Sequence, residues 1–369
     1  MAAAALAGQP TGTRHYRGRD PLTGEPIELW VHDGIIAREP VAAATTVVDD
    51  AWILPGLVDA HNHVGIAPGL GVTIERARGF AQQDLNAGAL LIREVGSPLD
   101  THPLDDDPFG PRFIRAGKHI ARPKRYLRDY GVDLVDPADL ADEVTRQAAA
   151  GDGWVKIVGD WIDRDLGDLA PLWERGHLEA AVAAAHDAGA RITAHVFGTD
   201  ALGDLIEAGV DCIEHGTGLT PDLINAMADR SIALVPTVIQ VDNFPSIADG
   251  AGRFPTYAAH MRALYADAEQ TFAAAREAGV AIYAGTDAGG FVDHGRIVEE
   301  VQRLAALGMG ARSALHAASE GARRWLGADV LDEGDRADFL VFDRNPVNDL
   351  NELRRPIAIV CGGQHVTQH

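Results

Sequence analysis

Arg191-Ile-Thr-Ala-His195, a helical stretch over 199–208 and Asp211-Cys-Ile-Glu-His215 make a strand, a helix and a second strand. The two apolar runs are too short for helices, and each ends in a histidine. Gly209 stands between the helix and the second strand, where a helix stops and the chain turns back. The same alternation extends in both directions. Upstream lie Trp154-Val-Lys-Ile-Val158 and a helical 177–189. Downstream lie a helical 221–229, Ile232-Ala-Leu-Val-Pro236, a helical 260–278 and Val280-Ala-Ile-Tyr-Ala284. Gly189 and Gly279 repeat the stop at Gly209. Strand, helix, strand in this order predicts a parallel sheet.

The spacing predicts closure. If the first strand holds Val58 and the eighth ends at Asp287, seven βα units fill the interval at about 33 residues each, the usual unit size. An open doubly wound sheet would offer a Gly-rich phosphate turn after its first strand. Here the first strand runs into His61-Asn62-His63 instead. The expected fold is therefore α/β, a (β/α)8 TIM barrel over residues 54–327.

The two chain ends read differently. Pro26-Ile-Glu-Leu-Trp-Val-His32, Thr45-Thr-Val-Val-Asp49, Ala337-Asp-Phe-Leu-Val-Phe-Asp343 and Ile357-Ala-Ile-Val-Cys361 look like strands between Gly, Asp and Pro turns. Residues 1–53 and 328–369 are expected to meet as one small β-sandwich domain.

Composition narrows the function. The 369 residues carry a formal charge of −22, which repels nucleic acid and anionic lipid. No apolar run reaches the length of a membrane span. The first sixteen residues lack the basic and apolar regions of a signal peptide. Cys212 and Cys361 show no zinc-knuckle or disulfide spacing and read as reduced thiols. A cytoplasmic protein acting on a small molecule is the expectation, with no nucleic-acid or membrane partner. A homo-oligomer is common for this architecture.

The chemistry concentrates at strand ends, where barrel active sites lie. On a strand, side chains alternate, so His61 and His63 share a face and can chelate one metal. Lys156 is placed mid-run in an apolar strand, where a lone cation is expensive. It is either ion-paired, or neutral and able to react with carbon dioxide to give a carbamate. His195 and His215 end successive strands at equivalent positions. Asp287 follows the eighth apolar run, as a metal ligand and proton acceptor or as a helix cap. Each has an ordinary reading alone; their shared placement points to a metal centre.

This ordered set resembles the amidohydrolase superfamily. The closer likeness is to imidazolonepropionase-like enzymes and metal-dependent dipeptidases of the prolidase type. Ile92-Arg-Glu-Val-Gly96, Gly110-Pro-Arg-Phe-Ile114, the run from Ala208 to Gly216, Leu234-Val-Pro-Thr237 and the run from Asp335 to Asp343 are similar too. The resemblance covers about residue 25 to the end. It implies a binuclear centre, usually zinc, two per chain. His61, His63 and Asp287 would hold one metal and His195 and His215 the other, with carboxylated Lys156 and a hydroxide between them. It implies hydrolysis of an amide-type C–N bond in an N-acyl amino acid, dipeptide or related small amide. Two cations lower the pKa of bound water, and Asp287 acts as general acid and base.

The chain departs from its dipeptidase relatives in two places. Many carry a Tyr two residues after the fifth-strand His; here it is Phe197. The loop from Lys118 to Arg128 is basic instead of Gly- and His-rich, so Arg122, Lys124 or Arg125 could hold a substrate carboxylate. Gln240, Asn243 and His260 are further candidates for substrate contact. His177, His186 and His316 read as structural, and His365 and His369 as incidental. The alternatives are a mononuclear cyclic-amide hydrolase (imidazolonepropionase-like) or deaminase with an unmodified Lys156, then a lactonase or esterase, then an inactive scaffold.

Overall fold

A computed structural model describes residues 12–68 and 70–366; the expected absence of a leader in residues 1–11 and the reading of His369 fall outside them. The two chain ends share one seven-stranded sheet. Its order is Gln364–His365, Ala358–Cys361, Phe339–Phe342, Thr45–Pro55, Arg14–Arg19, Pro26–His32, Ile35–Ala37. Phe339–Phe342 runs antiparallel to Thr45–Pro55, with Phe339 opposite Pro55 and Phe342 opposite Trp52. Alternation decides what each face covers. Ile53, Phe339, Val341 and Val360 join Tyr16, Leu29 and Val31 in a cluster belonging to the sheet itself. Their neighbours Leu54, Leu340, Phe342, Ile359 and Cys361 face the main core. Both faces are dry, which explains the nearly unbroken apolar runs near the C-terminus.

His365 has a partner here. Its Nε2 lies 2.7 Å from the Tyr16 hydroxyl, so the side chain joins the two chain ends and is not incidental. Burial pushes the Tyr16 phenol up to about 12, and it pulls the His365 ring down to about 4.

The middle of the chain forms parallel ladders. Leu57–Asn62, Ala89–Glu94 and Arg112–Arg115 make one. Gly131–Asp133, His119–Ala121, Trp154–Val158, Arg191–Val196, Cys212–His215 and Ala233–Val235 make the other. Residues 281–287 lie between the last of these strands and the first. Leu234 N donates to Ala281 O at 2.8 Å and Tyr283 N to Leu234 O at 3.0 Å. On the other side, Ala60 N donates to Ala284 O at 2.9 Å. The expected strand 280–284 is only a single bridge, Leu234 to Ile282. Its neighbour Gly285 explains the irregularity. A Cβ there would lie 2.6 Å from Val235 Cγ1 and 2.7 Å from His61 Cβ, so the backbone is pressed against both flanking strands.

Helices return the chain between strands: Arg175–Asp187, Leu202–Ala208, Pro221–Asp229 and Pro255–Glu277. The last starts five residues before the expected 260, because Pro255 takes the first-turn position where its missing N–H costs nothing. Gly209 closes its helix at φ 89°, a left-handed conformation that a side chain would strain. Among the described residues no helix is long and apolar enough to cross a membrane.

Candidate metal centre

The Leu57–Asn62 strand is buried along its whole length. Alternation sends Asn62 backwards, where its Nδ2 donates to Asp59 Oδ2 at 2.9 Å and Asp84 Oδ2 at 3.1 Å. His61 and His63 point forward, their Nε2 atoms 3.3 Å apart. Asp287 Oδ1 lies 3.0 Å from one and 3.2 Å from the other. One ligand atom from each of the three falls within 4.8 Å of the others. Asp287 is held there at φ 58°, its N–H donating to His61 O at 2.7 Å. Thr286 fixes the same turn, its N–H and hydroxyl donating to Asp59 at 2.9 and 2.6 Å.

His195 and His215 form a second pair, with His195 Nδ1 2.9 Å from His215 Nε2. The His215 ring lies 5.1 Å from that of His61. His215 stands at φ 66° and Thr237 at φ 47°, an unusual conformation for a β-branched residue. Strain of this kind clusters at functional sites, and here it brings Thr237 Oγ1 to 2.7 Å from His215 Nδ1.

Where the protons lie tests the fit to a cation. His63 Nδ1 donates to Gly96 O, 2.8 Å away, which turns its Nε2 toward Asp287. His215 Nδ1 is paired with Thr237, and His61 Nδ1 lies 3.4 Å from Glu214 Oε2. The Nε2 atoms of His61 and His63 meet at Asp287 Oδ1, and His215 Nε2 faces His195 Nδ1 beside them. Protons are a poor way to satisfy them. Burial lowers the His61 and His195 rings well below the usual histidine range and His215 to about 3. For Asp287, burial acts upward, but the charges and hydrogen bonds of His61, His63 and His215 outweigh it and hold the carboxyl well below its ordinary range. Buried imidazoles gathered around a carboxylate, with His63 anchored through its far nitrogen, are the donor set of a zinc-type site.

Lys156 is 1% exposed. Burial pulls its amine down to about 7. Its Nζ contacts Glu214 Oε2, and Glu214 Oε1 accepts from Arg93 Nη2 and Thr193 Oγ1, each at 2.9 Å. Sequence reasoning did not single out Glu214. Adjacent residues on a strand face opposite ways, so Glu214 and His215 should diverge. The positive φ of His215 takes it out of the pleat, and both side chains reach the cluster.

His119 was also read only as part of a basic loop. It is buried in the His119–Ala121 strand, and among the described residues neither ring nitrogen has a hydrogen-bond partner. Burial, then the charges of His63 and Lys156, keep its ring neutral. Gly96 makes room for it: a Cβ at that residue would lie 2.9 Å from His119 Cβ.

The substrate candidates are dispersed. Phe197 packs 4.4 Å from the His195 ring and 4.9 Å from His215. Gln240 is buried, and its Oε1 accepts from Asn243 Nδ2 at 3.2 Å. Arg125 donates to Asp163 Oδ2 at 2.9 Å, Trp161 O at 3.1 Å and Ala170 O at 2.9 Å, and so grips the Asp160–Asp163 and Asp168–Pro171 hairpin. Lys124 is exposed. The Arg122 guanidinium lies 6.0 Å over the Trp173 ring. His260 Nδ1 is 3.0 Å from Asp168 Oδ1.

Residues 52–366 match the amidohydrolase family. The chain belongs to that family. Relatives in Mycobacterium bovis and Mycobacterium tuberculosis are 54% identical over 350 residues, covering 95% of this chain and 95% of theirs; both are described as uncharacterized. A Xaa-Pro dipeptidase with bound methionine in its active site shares the fold at a TM-score of 0.80 and 22% identity, over 96% of this chain and 99% of the other. The ochratoxinase of A. niger does so at 0.78 and 19%, over 96% and 95%. The amidohydrolase resemblance read from the strand-end residues is thus met, and with it the coarse assignment as a metal-dependent hydrolase of the α/β class.

Proposed function

We propose that the chain hydrolyses an amide-type C–N bond in a small molecule, an N-acyl amino acid, a dipeptide or a related amide. The observation that carries this is the meeting of His61 Nε2 and His63 Nε2 at Asp287 Oδ1. In this reading the parallel strands close as one (β/α)8 barrel over 54–327, and the shared sheet of residues 1–53 and 328–369 forms the small β-sandwich. Two zinc ions per chain would be held, one by His61, His63 and Asp287 and the other by His195 and His215, with carboxylated Lys156 between them. Such cations supply a polarised carbonyl and a water that ionises near neutral pH. Asp287 takes the proton of the attacking water and returns it to the leaving nitrogen. His119, with both ring nitrogens free, donates to the substrate carbonyl oxygen. The buried, unpaired Cys212 and Cys361 fit a reducing, cytoplasmic setting.

Asp287→Asn tests the central role. It keeps the shape and one oxygen ligand but cannot accept the proton. We expect a fall in kcat of about 10²–10⁴ with most of the zinc retained. Near-normal turnover would remove Asp287 from the proton path.

One observation favours the mononuclear alternative. The Lys156 amine meets a carboxylate, so the lysine is available as the cation of a Lys156–Glu214–Arg93 group instead of as a bridging carbamate. Zinc per chain, with and without bicarbonate, separates the two. Two zinc ions that depend on bicarbonate support the carbamate; one that ignores it supports the ion pair.

A further inference from the structure

The wall beside the second histidine pair points to a substrate class, and this inference rests on the hydrolase reading above. Three aromatic rings surround His195. Phe197 lies 4.4 Å from it, Trp161 5.3 Å at 53° and Tyr126 5.5 Å at 72°. Phe244 backs Phe197 at 4.7 Å. Phe197 and Phe244 are fully buried, whereas Tyr126 and Trp161 are half-buried and form the open side of the wall. Tyr126 meets Trp161 edge to face, 4.7 Å apart at 65°. Phe197 is the most nearly parallel ring to the indole, yet it lies 6.2 Å away. Among the described residues no ring stacks face to face on Trp161.

The wall is also rigid and uncharged. Arg125 bonds three acceptors on both strands of the hairpin that carries Trp161, one of them the Trp161 carbonyl, and this fixes the indole from behind. Arg125 Nη1 holds Asp163 and Nη2 holds the two carbonyls. Burial raises the Tyr126 phenol above its usual range, and the nearby Asp287 charge adds to the effect, so the hydroxyl stays a neutral donor.

We infer that this wall is a subsite for an aryl ring: the substrate group beside His195 and His215 lies on the Trp161 face with Tyr126 at its edge. Aromatic pairs prefer offset stacking and edge-to-face contacts, and a half-buried indole on which no described ring stacks suits the first of these. A carboxylate or ammonium in the same place would lose its hydration and meet no opposite charge in the wall.

Two small chelators that differ only in this group give the test. Benzohydroxamate should bind the zinc-loaded protein at least tenfold more tightly than acetohydroxamate, read by calorimetry or by tryptophan quenching. Trp161→Ala should cut that ratio to below threefold and leave acetohydroxamate within twofold of its original affinity. Trp161→Phe should keep most of the ratio. A wild-type ratio near one, or a ratio that survives Trp161→Ala, would overturn the subsite. The outcome is separable from the metal reading. If zinc tightens neither hydroxamate, the metal centre is what fails, and benzamide against acetamide then reads the wall alone by the same ratios.

Discussion

Thr237→Val removes one oxygen and should close one metal site. The Thr237 hydroxyl lies 2.7 Å from His215 Nδ1 and can accept that nitrogen's proton, the arrangement that frees Nε2 for a cation. Valine has nearly the same shape and is equally β-branched, so the strained φ of 47° is matched on both sides of the comparison. Without the hydroxyl, His215 has two choices. It can keep the Nδ1 proton with no partner, at a cost of roughly 1–3 kcal/mol for an unsatisfied buried donor. It can instead move the proton to Nε2, which faces His195 Nδ1 at 2.9 Å. The second choice makes a good hydrogen bond, but it places a proton where the cation belongs. Either route weakens that site by about 10–100-fold, the usual effect of losing an outer partner of a histidine ligand. The other site keeps its own anchors, Gly96 O for His63 and the Asp59–Thr286 turn for Asp287. Competition against a chromophoric chelator should therefore release one zinc per chain early and the second at the wild-type position. Thr237→Ser should behave as wild type. If Thr237→Val holds both metals with unchanged affinity and an unchanged Tm, His215 is not oriented through Thr237 and the proton assignment is wrong.

Two further outcomes follow from the same contacts. Gly96→Ala should destabilise the fold by roughly 1–3 kcal/mol, because φ is 109° and the new Cβ meets His119 at 2.9 Å; a wild-type Tm would show that His119 can move aside. His365→Gln should flatten the acid limb of the stability curve. The folded ring titrates near 4 because burial disfavours its charge, whereas the unfolded ring takes its proton near the ordinary histidine value. The unfolded state thus binds more protons between about pH 6.5 and 4, and stability is lost as the pH is lowered across that window. Urea unfolding at pH 7 and pH 4.5 should show a smaller drop for the variant than for wild type; an equal drop would place the acid sensitivity elsewhere.

The strand-end residues were legible because two simple rules locate them. Period-two alternation put His61 and His63 on one face. The glycines at 189, 209 and 279 marked where helices stop, so His195 and His215 could be placed at strand ends without any coordinates. What escaped was set by dihedrals and by the direction of long side chains. Nothing in Glu214-His215 says that His215 will take φ 66°, and without that turn the pair is expected to diverge. His119 was hidden among the cations of residues 118–128, whose charge suggested a solvated loop, yet the first three-residue strand of that stretch is buried. Arg125 is the opposite case. Its charge is evident in the sequence, but three acceptors on the hairpin take its guanidinium, and this could be known only once Trp161 and Ala170 were paired.

These escapes share a cause. The ligand positions are fixed by backbone periodicity, which a sequence states repeatedly over many residues. The groups that orient the ligands act through single contacts: Thr237 on His215 and Gly96 on His63. Each such contact joins strands that are distant in sequence and depends on one local dihedral or one missing Cβ. Their loss would change metal affinity while leaving every strand and helix in place, and this is why Thr237→Val, a substitution that preserves shape, is expected to show first in the zinc.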